Sequence, residues 1–297
     1  MKPYNKNNRI RKDKSVFIIT GVILFLHMTS LVLPFIWMLL TSVKGLLDYQ
    51  ESFLGWPKTF HWENYTRIFD LLSIEVVKDG NTYIYYIWNL LQNSLMLSIF
   101  SPLFSLLPVV LTSYVVSKFT FVGKQTLRNI NIFVMIIPLV GNLANTLLVY
   151  RKLGLYNNFW PFIIFPHQPF GFNFLLLYGV FKAIPDSYSE AVQIDGGGHM
   201  TVFLRIMLPM VVPTLVTLYV LGFISSWNDY STPLVYLRSV PNLAYGLYEF
   251  QYNSSKYGAI LPEILAGFVI CSIPSVVLFI SFQKVITRSL MIGGIKE

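Results

Sequence analysis

The sequence predicts an all-α integral membrane protein with six transmembrane helices, and three observations predict it. Hydrophobic residues make up 54% and charged residues 12% of the 297 residues, about half the usual charged share of a soluble domain. Six apolar runs are long enough to cross roughly 30 Å of hydrocarbon. Lys and Arg gather in alternate connections between those runs, the asymmetry that orients a chain in a membrane. The +8 formal charge is therefore assigned to membrane flanks, not to a nucleic-acid surface. Cys271 is the single cysteine, which excludes an internal disulfide and a cysteine-based metal site.

The spans are placed at residues 16–40, 93–116, 130–150, 159–181, 208–227 and 264–286. They leave a basic tail (1–15), a transmembrane domain (16–286) and a C-terminal tail (287–297). The first run follows Lys2, Lys6, Arg9, Arg11, Lys12 and Lys14. It is too long for a signal-peptide core and shows no small-residue cleavage site, so it reads as an uncleaved span. With the N-terminus inside, the cytoplasmic segments also collect Lys118, Lys124, Arg128, Lys182, Arg205, Lys284, Arg288 and Lys296. Most of the chain's 22 Lys and Arg then face the cytoplasm, which predicts both termini inside a multi-pass protein. Pro34, Pro102, Pro108, Pro138, Pro166, Pro169, Pro209, Pro213 and Pro274 interrupt nearly every span. Such breaks are tolerated where neighbouring helices re-satisfy the freed backbone groups.

Between the fourth and fifth spans lies a polar-fronted loop, residues 183–209. Ser187 followed by Glu190 is a capping-box pattern and predicts that a short helix begins there. Tyr188, Ala191 and Val192 fall at i, i+3 and i+4 and give that helix one small apolar face. Gly196 permits the left-handed turn that ends it. A second short helix, about residues 199–207, then leads to Leu208-Pro209, where the fifth span begins. Gly196-Gly197-Gly198 is not a phosphate loop, because no Gly-Lys-Ser/Thr follows and no strand precedes it.

The loop spacing is Glu190-Ala191-Val192-Gln193-Ile194-Asp195-Gly196, nine residues, then Ile206-Met207-Leu208-Pro209. It resembles the coupling-loop signature of the binding-protein-dependent permeases of carbohydrate uptake, in particular the six-helix permease of the maltose-transporter kind. Further segments carry the same resemblance in the same order: Trp62-Glu63-Asn64-Tyr65, Phe172-Asn173-Phe174 through Phe181-Lys182-Ala183-Ile184-Pro185, and Ser226-Trp227-Asn228-Asp229-Tyr230 with Pro233-Leu234. Leu243-Ala244-Tyr245-Gly246-Leu247, with Phe250-Gln251, and the tail Met291-Ile292-Gly293-Gly294-Ile295-Lys296 complete it. Two departures stand out. Val192 occupies the place of a third small alanine, and the outer stretch 71–88 is longer than typical.

The resemblance implies a type I importer architecture of the ATP-binding-cassette class, in a bacterial cell membrane, with a cytoplasmic coupling helix. It implies a second permease subunit, two ATPase subunits and an extracytoplasmic sugar-binding protein as partners. ATP and Mg would sit on the ATPase, and this chain would bind no cofactor. ATPase coupling would fall to Ser187, Glu190, Ala191, Val192, Asp195, Gly196, Ile206, Leu208 and Pro209.

His27, His61, His167 and His199 are scattered without ligand spacing, so no metal site is expected. No Ser/His/Asp grouping or carboxylate pair is placed for catalysis. Polar groups inside spans say more, since each is costly in lipid. Asn142 and Asn145 share a face of the third span, His167 and Gln168 sit within the fourth, and Trp227, Asn228, Asp229 and Tyr230 close the fifth. Amide and carboxylate groups beside aromatic rings suit a sugar pathway; the same groups also serve as hydrogen bonds between helices. A non-sugar solute is the nearer alternative. An ion-coupled carrier is a further one, although Asp229 and Glu263 lie near span ends and no inverted repeat is evident.

Overall fold

The computed structural model describes residues 6–78, 80–137, 141, 143–165 and 167–294. In chain order the elements are α1 (Lys6–Ser42), α2 (Leu46–Glu51), α3 (Glu63–Leu71), β1 (Ser73–Lys78), β2 (Asn81–Tyr86), α4 (Ile87–Lys118), α5 (Lys124–Ile136), α6 (Leu143–Lys152) and α7 (Phe159–Ile164). There follow α8 (Phe172–Ala183), α9 (Ser187–Ile194), α10 (His199–Val202), a wide π turn (Phe203–Met207), α11 (Leu208–Trp227), α12 (Ser231–Val235), α13 (Leu243–Tyr252), α14 (Ser254–Tyr257) and α15 (Leu261–Gly294). The chain is mostly helical, and four helices are long and apolar enough to cross a membrane. They coincide with the expected first, second, fifth and sixth spans.

The expected third and fourth spans are each broken into two shorter helices. α5 stops at Ile136, and Ile137 is extended (φ −75°, ψ 116°). The next residue is Pro138, whose ring disfavours helical geometry in the residue before it. Gly141 then takes φ +79°. α7 stops at Ile164, and α8 restarts only after Gly171, at φ +128°. The fifth helix also differs: it starts at His199, since α10 and the π turn run into α11 without a gap.

Two compact units form, residues 1–71 with 253–270 and residues 72–252 with 271–297. In the first unit, the Trp62-Glu63-Asn64-Tyr65 element terminates α1. The Asn64 side chain donates to the carbonyls of Ser42 (2.8 Å) and Lys44 (2.9 Å). Tyr65 Oη meets Ser42 Oγ at 2.7 Å, and the His61 amide donates to the Val43 carbonyl at 2.8 Å. These groups occupy helix-end acceptors that would otherwise be orphaned. Lys44 is buried and donates to the Ser52 carbonyl at 2.7 Å. The buried Glu263 accepts the Ile260 amide (3.0 Å) at the start of α15. Arg67 of α3 lies 2.5 Å from its other oxygen, out of line for a directed hydrogen bond, so charge holds that pair.

In the second unit β1 and β2 form an antiparallel hairpin that pairs Ile74 with Tyr85 and Val76 with Tyr83. This hairpin is the long stretch seen in the sequence. α4 packs along α11 and α8, and their buried faces form one core with Leu106, Tyr114, Phe174, Phe181, Met207 and Val211. α11 crosses α4 so closely that a Cβ on Gly222 would lie 2.7 Å from Pro102. The break before α8 is repaired by neighbours. Asn131 accepts the Gly171 amide (2.7 Å) and donates to its carbonyl (3.4 Å). Thr112 donates to the Pro169 carbonyl at 2.9 Å and Ser113 to that of Phe174 at 3.2 Å. Side chains of α4 and α5 thus replace the missing helical partners, as hydrocarbon surroundings require.

Candidate functional site

The loop after α8 begins where Ile184, extended ahead of Pro185 (φ −76°, ψ 125°), ends that helix. α9 starts at Ser187, with Asp186 as its cap residue and no side-chain capping bond. The capping box expected from Ser187 and Glu190 is therefore absent: Ser187 is already helical, and the cap residue's carboxylate is engaged elsewhere. It accepts Lys118 Nζ at 2.7 Å. The same ammonium donates to the Ile184 carbonyl, so the last turn of α4 clamps the loop at its root. The Lys118 hydrogen bond and charge hold the Asp186 carboxyl below its ordinary value of 3.8. Lys118 was legible in the sequence only as one more cytoplasmic charge.

α9 ends in a Schellman motif. The Gly197 amide donates to the Val192 carbonyl (2.8 Å) and the Gly196 amide to that of Gln193 (3.0 Å), with Gly196 left-handed at φ +80°. Asp195, exposed, precedes it and bonds back to Ala191 (3.1 Å). A Cβ on Gly197 would lie 2.5 Å from Val192 Cγ1, so the larger Val192 fits because glycine faces it. Beyond the turn, Val202, Phe203 and Met207 enter the core, where the Phe203 ring lies 4.7 Å from Tyr114. Ile206 and Leu208 are half-buried and Pro209 is exposed.

On this anchored base the outer surface is apolar and open. Of the expected face Tyr188, Ala191 and Val192, only Val192 turns toward the core; the other two are exposed. Ile194 is 85% exposed and Met200 67%, and Leu204 is open as well. Sequence reasoning missed these three, because an apolar residue in a short helix reads as core until its packing is known. Glu190 is likewise exposed, in the first turn of α9, and its carboxylate has no hydrogen-bond or ion-pair partner among the described residues.

The pathway candidates separate. Asn142 lies outside the described residues. Asn145 is exposed on α6. Trp227 is 2% exposed, donates to the Cys271 carbonyl at 2.8 Å and stacks on Phe223, so its ring is packed away within this chain. Asn228 donates to the Ile224 carbonyl (2.8 Å) and to Ser275 Oγ (3.1 Å), joining α11 to α15. Asp229 Oδ1 accepts the amides of Ser231 (2.8 Å) and Thr232 (3.1 Å) and starts α12. Tyr230 is exposed and stacks on Tyr248 at 4.7 Å, which stacks in turn on Tyr252. His167 Nε2 bonds the Ile163 carbonyl, and Gln168 is exposed.

Residues 109–292 match the family described as binding-protein-dependent transport system inner membrane component. The chain belongs to that family. The match contains α8, the α9 loop, α11 and nearly all of α15, so the surface described above lies inside it. The permease is 27% identical over 292 residues to the arabinooligosaccharides transport system permease protein AraQ of Bacillus subtilis (strain 168), covering 95% of this chain and 97% of that one. It is 30% identical over 241 residues to AraQ of Halalkalibacterium halodurans, covering 78% and 83%. Among solved structures it is similar to a bacterial ABC transporter involved in the import of the acidic polysaccharide alginate, at TM-score 0.73 and 24% identity, covering 96% of this chain and 99% of that one. That likeness establishes the fold. The permease is thus a multi-pass inner-membrane transport component.

Proposed function

We propose that the permease is one of two membrane subunits of an ATP-driven oligosaccharide importer, lining half of the translocation route and carrying no ATPase site of its own. Family membership and the sugar-transport names of its relatives support the substrate class. The observation that carries the mechanism is the α9 loop: an exposed Glu190 carboxylate without a partner among the described residues, with Tyr188, Ile194 and Met200 of the same loop open, on a base held by Lys118, a Schellman turn and the buried Phe203 and Met207 of the π turn. α9 would act as the coupling helix, docking in a groove on an ATPase dimer. Glu190 would meet a cationic group there, while Tyr188, Ile194 and Met200 fill the groove. Because α10 and the π turn run into α11 without a break, force on α9 passes directly into a membrane-crossing helix. Reversing a 1:99 population to 99:1 takes about 5.5 kcal/mol of differential binding, within reach of a docked interface. The partners would be a second permease, two ATPase subunits with ATP and Mg, and an extracytoplasmic sugar-binding protein. The basic residues of segments 1–15 and 287–297 support cytoplasmic termini, with α9 on the same side.

The test is recovery of partners from native membrane with a tag on this chain. A second permease and an ATPase should co-purify, and sugar uptake should stop when the chain is deleted. A transport-competent homo-oligomer without an ATPase would refute the reading.

A further inference from the structure

A cavity of about 220 Å³ lies within the second unit, where α4, α6, α7 and the end of α11 converge on the first turn of α12. A cavity of ~150 Å³ is enough for benzene, so this one has room for a six-membered ring with some of its substituents. Its wall is aromatic. Tyr150 and Phe162 line it, 5.7 Å apart and edge to face, and both rings rest on Tyr236 at 5.2 and 6.0 Å. The rings are therefore fixed before any ligand arrives.

Opposite them are hydroxyls that the fold leaves open. Ser101, Ser226 and Thr232 all line the cavity, and none of these hydroxyls has a hydrogen-bond partner among the described residues. Elsewhere on these helices Thr112 and Thr217 bond back to their own helices, and Ser94 accepts the Leu243 amide at 2.8 Å. Three open hydroxyls facing one cavity call for a ligand or water that both donates and accepts. Charge narrows the choice further. Asp229 is the one acidic group in the lining and no Lys or Arg is there; the imidazole in the lining, His167, has its Nε2 engaged by the Ile163 carbonyl. Its Oδ1 is taken by the start of α12, while Oδ2 has no partner among the described residues. Arg151, the residue after Tyr150, folds over Tyr156 at 4.7 Å instead.

We propose that this cavity receives one uncharged sugar unit of the transported oligosaccharide and turns away uronate units. A pyranose or furanose ring offers C–H faces to Tyr150 and Phe162, and hydroxyls that exchange hydrogen bonds with Ser101, Ser226 and Thr232. A uronate carboxylate would lose its water beside the Asp229 carboxylate with no Lys or Arg to meet it, an arrangement that rejects it. The proposal rests on the oligosaccharide reading above and adds the substrate's charge to it.

The experiment uses Ser226→Cys in the full-length chain, expressed in place of the unmodified one in native membranes, with Ser101→Cys as a second position. A small maleimide reports access to the thiol, and the unmodified chain, whose Cys271 is buried, gives the background. The probes are uncharged arabino-, xylo- and gluco-oligosaccharides on one side and oligogalacturonate and oligoalginate on the other. At least one uncharged probe should slow labelling fivefold or more, and neither uronate should slow it twofold. Protection by a uronate overturns the proposal, as does protection by no probe or a thiol that never reacts at either position. Where Ser226→Cys does not reach the membrane, the result at Ser101→Cys decides. Uptake of the same probes by unmodified cells separates the two failures. Uptake without protection defeats the cavity alone, whereas no uptake of any probe defeats the oligosaccharide reading with it.

Discussion

α3 and α9 are both short, amphipathic and joined to longer helices, yet their polar and apolar residues are arranged in opposite ways. α3 turns its polar groups inward: Asn64 closes the end of α1, and Arg67 reaches the buried Glu263. Its Ile68 is fully buried. α9 buries none of its residues fully and leaves the Glu190 carboxylate without a partner among the described residues, between the exposed Tyr188 and Ile194. A helix whose Asn and Arg engage its neighbours is a joint. One that exposes apolar groups around an unpaired charge, on a rigid base, is half of an interface.

The sharpest way to break that contrast is at α9. Glu190→Lys reverses the charge of the unpaired group without disturbing a side-chain bond among the described residues. Uptake should fall at least a hundredfold and the ATPase should no longer co-purify, while the amount of chain in the membrane stays the same. Losing one partner of a desolvated pair costs about 2–5 kcal/mol, which covers an effect of that size. Gly196→Val should match it, because a β-branched residue at φ +80° is strained by about 1–2 kcal/mol and redirects the chain into α10. Normal uptake by Glu190→Lys would remove α9 from the mechanism.

At α3 the expected damage is to stability instead. Asn64→Leu leaves the Ser42 and Lys44 carbonyls without their donor, at about 1–3 kcal/mol for each buried acceptor. The chain should unfold at lower temperature in detergent and accumulate less, while uptake per molecule changes little. Uptake lost at full abundance would place α3 in the transport cycle and erase the contrast.

Lys118→Met tests the base of α9. In the unmodified chain the Asp186 carboxyl is held below 3.8 by Lys118. A depressed carboxyl stabilises above its ordinary value and loses that contribution as pH falls through the lower folded value. The loop 183–199 should therefore resist protease at neutral pH and open only below the ordinary carboxylate range. In Lys118→Met it should be cut several-fold faster at pH 7, with no change on acidification. Equal cutting in both chains would show that the clamp adds nothing.

What the sequence made legible follows the range of the interactions. Four long helices and the Gly196 turn depend on local composition and backbone geometry, and all were anticipated. The ends of α5 at Ile136 and α7 at Ile164 were signalled by Pro138, Pro166 and Pro169, yet apolar run length assigned each pair of helices to one span. Whether a proline kinks a helix or stops it depends on partners far along the chain, such as Asn131 for Gly171 and Thr112 for Pro169. The same limit hid Lys118 and the burial of Trp227. A Ser followed by Glu at the right spacing suggested a capping box, but a lysine 68 residues away in sequence engaged the cap residue's carboxylate.

The smallest expected effect falls between the two kinds of helix, at Asn228. Adjacent to the cavity-lining Asp229, it invites a pathway role, and Asn228→Leu would then lower uptake without affecting assembly. Its amide instead bridges α11 to Ser275 of α15 at 3.1 Å, the arrangement of a joint. Hydrogen bonds between membrane helices average about 0.6 kcal/mol and reach at most ~1.7. Asn228→Leu should accordingly lower thermal stability slightly, by about 0.6–1.7 kcal/mol, and leave uptake per molecule within twofold. Ser275→Ala should cost a similar amount, and the double variant less than the sum of the two, because the same bond is lost once. Additive losses, or an uptake defect at normal stability, would return Asn228 to the route and leave Ser275 without a role in holding it.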